Sequence, residues 1–269
     1  MIMSKRENHL LDLKKYSITG RAMENYLLSN SNLPGKRGNI ELGYSFADYI
    51  ENNYCKNRSN IFKYCLTLIN KNRKQAGKIG NEEFLPFCGI LALGRIGKID
   101  PMKKDKIIEL LKAYAKDERW RIREAVAMAI QELMDVNPEV TIKKLMKWAE
   151  EENYLVQRAL VAGLAEPRLM RNRKIAEKSL DIHKRIIQKA GIEKDLKNPD
   201  YKVLIKGLCY TLSVIITGIE DEGFEYLGEL AKSDDHIIRK IIRENLKKNR
   251  LKQLNNGKVL ELKNSIDCC

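Results

Sequence analysis

The feature that most constrains this chain is a pattern of thirteen residues that occurs twice, with the second copy 34 residues after the first. The copies span residues 120–132 and 154–166. Each opens on an aromatic residue and then places small or aliphatic residues at matching positions, three or four apart. Such a period is typical of stacked helix pairs, in which each pair needs a neighbour to cover its apolar face. Related spacing in residues 84–96 and 235–246 extends the repetition.

The rest of the chain favours helices as well. Proline is scarce, with six in the chain, and long segments with a period of 3.6 residues dominate over strand-like alternation. We therefore predict an all-α fold, namely a helical-repeat solenoid (an α–α superhelix) with a helical N-terminal extension. The predicted organisation is an extension over residues 1–80, repeats over 81–254 and a flexible tail over 255–269. The last inner helix is expected to run through residues 235–251.

The charge balance points to an anionic partner. Lys and Arg number 50 against 36 acidic residues, so the formal net charge is +14. A basic excess of this size favours association with a polyanion, although it says nothing about the fold. Nucleic acid is the first expectation, an anionic membrane surface the second.

The cysteines and the apolar runs indicate the compartment. Six cysteines form no C-x-x-C pair and only three histidines accompany them, which argues against a zinc site, and no cofactor is expected. Cys65, Cys88 and Cys209 are expected to be core thiols in a reducing cytoplasm. Cys268 and Cys269 form a frayed end, or a tail for lipidation or metal binding. No signal peptide and no apolar run approaching about 18 residues is evident, so we expect a soluble protein without a membrane.

A basic stripe is predicted on the last inner helix. Its four cations lie at helical spacing on one face, and residues 239–252 contain a single acid. The ordinary interpretation of such a run is a solvated face, but its single sign favours phosphate binding. The stripe consists of Arg239, Arg243, Lys247 and Arg250.

Two further segments could contact nucleic acid. Lys36 and Arg37 lie in a loop rich in turn residues just before a helix, where backbone amides and cations can hold a phosphate. Arg121 and Arg123 flank the start of an inner helix beside Trp120, whose ring could stack on a base or pack as a lid over the preceding turn.

The segment 82–251 resembles HEAT-like repeat proteins, and more narrowly the bacterial HEAT-like DNA alkylation-repair glycosylases. The local match is residues 146–159, which contain a Lys-Trp pair and, a turn later, Gln-Arg-Ala. The family uses a Trp, a carboxylate four residues later and an Arg in the following repeat. The resemblance implies these roles for Trp120, Glu124 and Arg158, although the family carboxylate is Asp. From the residues alone, the alternative is an ion pair between Glu124 and Arg158, which occupy equivalent positions in adjacent repeats.

The resemblance leaves two alignments open. An alignment on Ile122 instead places Arg123 at the carboxylate position and removes the catalytic acid. In the first alignment, the ring of Trp120 attracts a cationic base, Glu124 stabilises the developing oxocarbenium ion and Arg158 holds a phosphate. The expected function is DNA binding, with excision of alkylated bases if Glu124 faces the groove. The alternatives are a protein-binding scaffold without catalysis and an RNA-binding module. The sequence does not determine the oligomeric state.

Overall fold

The computed structural model describes residues 4–71 and 80–267. Within these ranges the chain forms fourteen α-helices, with short 3₁₀ segments and no strand. The predicted all-α helical-repeat fold is confirmed. The chain divides into two compact units, Met1–Val136 and Asn137–Cys269.

The first unit contains seven described helices. They are α1 (Lys5–Leu13), α2 (Arg21–Ser29), α3 (Ile40–Tyr54), α4 (Arg58–Asn70), α5 (Phe84–Ile99), α6 (Pro101–Tyr114) and α7 (Trp120–Leu133). Helices α1, α3, α5 and α7 pack side by side in that order, while α4 and α6 pack against α5. The layer formed by α5 and α7 thus continues into α3 and α1, within the segment predicted as an extension.

Small residues set the close contact of α5 with α7. A Cβ atom added at Gly94 would lie 2.9 Å from Cα of Ala129 and 3.1 Å from its carbonyl oxygen. Ala125, Ala129 and Ile130 are fully buried. The small residues of the repeated pattern therefore allow the two helix backbones to approach, as the sequence predicts.

The second unit repeats this arrangement. Its helices are α8 (Pro138–Leu145), α9 (Tyr154–Leu164), α10 (Arg173–Glu193), α11 (Pro199–Ile215), α12 (Glu220–Ala231), α13 (His236–Leu246) and α14 (Asn249–Asp267). Helix α11 packs between α9 and α13. The side chain of Asn153 caps α9 by accepting from the amides of the second and third helical residues, and Asp235 caps α13 in the same way. Equivalent caps thus begin equivalent helices.

The end of the chain differs from the prediction. The helix expected over residues 235–251 ends at Leu246, and α14 begins at Asn249. Residues 255–267 are helical and do not form the flexible tail predicted for 255–269; α14 breaks only at Asn255, where φ is −155° and ψ is 91°. Val259 and Ile266 are buried, because α14 packs on α12 and α13. Cys268 and Cys269 lie outside the described residues.

Three cysteines and one long apolar helix lie in the core. Cys65, Cys88 and Cys209 are buried as predicted, and burial raises the pKa of the Cys65 thiol to about 12. The helical segment Pro199–Gly218 is long and apolar enough to cross a membrane by length and composition alone, contrary to the expectation from sequence. Since 67% of its apolar window is buried, this segment is the core helix of its unit.

Candidate functional site

A cavity of about 300 Å³ opens in the first unit between the loop before α3 and the helices α5 and α7. Four charged side chains line it, namely Arg37, Glu83, Arg121 and Glu124. Its walls are otherwise mainly apolar, formed by Leu33, Ile40, Phe84, Phe87, Trp120 and Met128. The cavity therefore brings together two segments that the sequence analysis selected separately, the basic loop and the start of α7.

Hydrogen bonds close the base of the loop over residues 31–39. The amide of Asn39 donates to the carbonyl of Ser31 at 2.8 Å, and its side-chain amide donates to the carbonyl of Asn30 at 2.9 Å. The side-chain oxygen of Asn39 accepts from the amide of Leu42 at 3.1 Å and so caps α3. The loop is thus held in place while Arg37 remains exposed.

Arg121 fixes the loop and the indole ring of Trp120. Its guanidinium lies 4.6 Å from the centre of the Trp120 ring, within the range of a cation–π contact. It also donates to the carbonyl of Gly35 at 3.0 Å and forms an ion pair with Glu83. Trp120 is 51% exposed, so it is not the buried lid that a purely structural role predicts. Arg121 therefore already contacts three groups of the protein, namely the Trp120 ring, Glu83 and the carbonyl of Gly35.

Arg123 and Glu124 are the two candidates for the position beside Trp120, and their side chains lie in different places. The Nη1 atom of Arg123 donates to the carbonyls of Asp117 and Glu118, at 2.7 Å and 2.8 Å. Arg123 therefore folds back over the turn before α7. Glu124 lines the cavity together with Trp120.

Arg158, the third residue of the implied catalytic set, lies in the second unit. It is only 9% exposed, and its Cγ atom lies 3.5 Å from the position that a Cβ would take at Gly207. The side chain thus packs against α11. A phosphate contact would have to be made by a side chain that is largely buried.

The four cations of the predicted basic stripe differ in their local contacts. Arg239 donates to the carbonyl of Ser233 at 2.9 Å and to Asp234 at 2.8 Å, close to the start of α13. The other three cations differ from one another. Arg243 donates to a backbone carbonyl of α14, Lys247 forms an ion pair with the adjacent Glu244, and Arg250 is exposed.

A second cavity, with a volume of about 580 Å³, lies between α11 and α13 in the second unit and forms an open concave surface. We call it the lysine groove, because Lys202 and Lys206 of α11 and Lys240 of α13 line it. All three are exposed, and their ammonium groups have no ion pair or hydrogen bond within residues 4–71 and 80–267. The floor is apolar, and burial raises the pKa of the Cys209 thiol there.

The sequence analysis missed these three lysines. Lys202 and Lys206 are one helical turn apart, which places them on one face of α11. Lys240 lies within the basic run of residues 239–252, but it is not one of the four cations predicted to form the stripe. Comparing exposed cations at equivalent turns of α11 and α13 would have found the set, since equivalent helices in a repeat present equivalent faces.

Comparison with known proteins gives limited information. No family model matches the chain, and no curated protein matches it. Among solved structures, the chain is similar to a designed armadillo repeat protein at 16% identity, over 84% of this chain and 98% of that one, with a TM-score of 0.32. An engineered protein is similar at 14% identity, over 95% and 100%, with a TM-score of 0.33. These TM-scores are too low to support any conclusion about function.

Proposed function

We propose that this helical-repeat protein binds DNA through the lysine groove of its second unit. The observation that carries the proposal is the convergence of Lys202, Lys206 and Lys240, from two helices, on one concave surface. The proposal includes a cytoplasmic location, where the free thiols of Cys65 and Cys88 remain reduced.

The electrostatics of the groove favour a polyanion. Unpaired ammonium groups of one sign repel each other, and a row of phosphates relieves this repulsion while releasing its condensed counterions. Glu244 also lines the groove, but its carboxylate pairs with Lys247. The excess of 50 basic over 36 acidic residues adds long-range attraction to the same partner.

The test removes the three charges together. Changing Lys202, Lys206 and Lys240 to Gln should weaken binding of duplex DNA at least about tenfold at low salt and reduce the slope of log affinity against log salt by up to about 3. Fluorescence anisotropy of a labelled duplex over a series of salt concentrations measures both. The matched control is the triple change of exposed Lys5, Lys14 and Lys63 to Gln, which removes equal charge from the first unit. If both triples lose affinity equally, the groove is not the binding site. If the native chain shows no salt-dependent binding, the proposal of DNA binding is rejected.

A second candidate function is the excision of alkylated bases, because Trp120 and Glu124 line one cavity. An aromatic face attracts a cationic base, and a carboxylate stabilises positive charge that develops on the sugar. The native protein should then release 7-methylguanine or 3-methyladenine from alkylated DNA, and Glu124→Gln should release at least about a hundredfold less. The Glu118→Gln variant controls for loss of one charge nearby. Intact DNA binding without any release would reject excision and leave the binding proposal unaffected.

A further inference from the structure

We infer that the cavity of the first unit binds an alkyl carboxylate of medium length. The alkyl chain lies between the loop before α3 and the helices α5 and α7, and the carboxylate of the ligand contacts Arg37. The lysine groove takes no part, so the inference does not rest on the proposed binding of DNA. It gives the cavity a different occupant from the second candidate function, and Glu124 does not hold that occupant.

The walls and the volume of the cavity select a small apolar body. Six side chains that line it are apolar, and none of the described lining residues has a neutral polar side chain. A ligand rich in neutral polar groups would lose hydrogen bonds to water there and find few partners in return. A hydrocarbon chain loses no hydrogen bonds and gains from every methylene that leaves water. A volume of about 300 Å³ lies at the small end of the range for ligand sites, so a short or medium chain fits better than a long one.

The aromatic side chains of the wall favour a flexible chain over a flat ring. The rings of Phe84 and Phe87 stack on each other with their centres 5.7 Å apart, and the guanidinium of Arg121 lies 4.6 Å from the centre of the Trp120 ring. One face of each ring is therefore covered within the protein, which reduces the area open to stacking by a ligand. The wall also includes Met128, whose unbranched side chain adapts to the shape of its neighbour.

Arg37 determines the charge of the ligand. Its side chain lines the cavity, is exposed, and has no ion pair or hydrogen bond among the described residues. The other cation of the lining, Arg121, already forms an ion pair with Glu83. Glu124 lies on α7, where its carboxylate repels a second anion and so directs the head of the ligand to the loop. There the guanidinium of Arg37 can donate two parallel hydrogen bonds to a carboxylate.

The loop that carries Arg37 is held beside the cavity before any ligand arrives. The amide of Asn39 donates to the carbonyl of Ser31 at 2.8 Å, and Arg121 donates to the carbonyl of Gly35 at 3.0 Å. A backbone that is already ordered loses little entropy on binding. The exposed side chain of Arg37 must still be ordered, so its ion pair with the ligand contributes at most about fivefold to the affinity. Burial of the alkyl chain supplies the rest.

Calorimetric titration with hexanoate, octanoate and decanoate, each below its micelle concentration, tests the apolar part of the site. One ligand should bind per chain, with an affinity that rises up to about fourfold for each added methylene as long as the chain fits. The chain has two tryptophans, and Trp148 is only 2% exposed, so binding should also shift the emission of Trp120 to shorter wavelength. An affinity that does not depend on chain length, or binding that does not saturate, would overturn the inference.

Octylammonium tests the head group on a chain of the same length. The native protein should bind octanoate at least about threefold more tightly than octylammonium, and Arg37→Gln should bring the two affinities within about twofold of each other. Lys36→Gln is the matched control, because Lys36 is an exposed cation of the same loop outside the cavity lining, and this variant should keep the native preference. Equal affinity of the native protein for the two ligands would reject a carboxylate as the head group.

Gly38→Leu tests the location, because it places a side chain inside the cavity. A Cβ atom at Gly38 would lie 3.8 Å from the side chain of Leu33 and 3.9 Å from the ring of Phe84, and the backbone of Gly38 is not left-handed. The protein should therefore fold as before, which circular dichroism checks, while the affinity for octanoate falls at least about tenfold. A folded Gly38→Leu variant with native affinity for octanoate would show that the ligand binds elsewhere.

One further variant separates this inference from the proposed function. The triple variant of the lysine groove should bind octanoate as the native protein does, even where it loses duplex DNA. Loss of octanoate binding in this variant would place the ligand in the second unit and overturn the inference. Absence of octanoate binding to the native protein would reject the site and leave the proposal of DNA binding standing.

Discussion

Replacing Arg95 by Met should lower the free energy of unfolding by about 3–5 kcal/mol. Arg95 on α5 is 11% exposed and contacts three carboxylates from two neighbouring helices. Its distances are 3.1 Å to Asp48 and 3.3 Å to Glu51, both on α3, and 3.0 Å to Glu132 on α7. Without the guanidinium, the nearly buried carboxylate of Glu132 loses this cation and repels Asp48 and Glu51, which are about one-fifth exposed.

Urea denaturation followed by circular dichroism measures this loss. Lys98→Met is the matched control, because Lys98 is also on α5 and contacts Glu51 at 3.4 Å, but it is more exposed. The control should cost less than about 1 kcal/mol, as expected for an accessible ion pair. A cost for Arg95→Met no larger than for the control would show that the cluster contributes little to stability.

Replacing Asn245 by Leu should lower the free energy of unfolding by about 3 kcal/mol. Asn245 on α13 is fully buried, and its side-chain oxygen accepts from the amide of Ser213 at 2.8 Å. Its side-chain nitrogen donates to the carbonyls of Leu208 and Ile241, each at 2.8 Å. Leucine has the same branching at Cγ and the same number of side-chain heavy atoms, so the change removes these bonds without leaving a cavity. The loss therefore comes from buried backbone groups of α11 and α13 that lose a partner.

Thermal unfolding of Asn245→Leu and of Asn264→Leu separates this effect from a general intolerance of leucine. Asn264 is exposed on α14, so its replacement should change the unfolding free energy by less than about 0.5 kcal/mol. Asn245→Asp is a second informative change, since it keeps the acceptor for Ser213 and removes both donated bonds. A fully stable Asn245→Leu variant would contradict the proposed role of the side chain in joining α11 to α13.

The sequence was a good guide to the helices, because their determinants are local. The small residues at Ala125 and Ala129 mark the buried face of α7, and caps such as Asn153 and Asp235 mark helix starts. The end of the chain was predicted less well. Val259, Leu262 and Ile266 lie three and four residues apart, which is the spacing of one helix face, and the prediction of a flexible tail overlooked this pattern.

The candidate sites depend on contacts that no local pattern contains. Arg121 donates to Gly35, which precedes it by 86 residues, so the meeting of the loop with α7 arises only in the folded chain. Similarly, a lysine on α11 and a lysine on α13 each have the pattern of an ordinary solvated face. Their common groove depends on how the two helices are rotated, which the average 3.6-residue period does not specify accurately.

The contact at Gly94 has a consequence for how this protein can evolve. Because α5 meets α7 at the level of the backbone of Ala129, the distance between the two helices is set by the absence of one carbon atom. Changes at this position alter the spacing of the helices, whereas changes at exposed positions such as Arg37 and Lys240 leave it intact. The chain thus separates the residues that maintain its architecture from exposed residues that can be substituted without a new core.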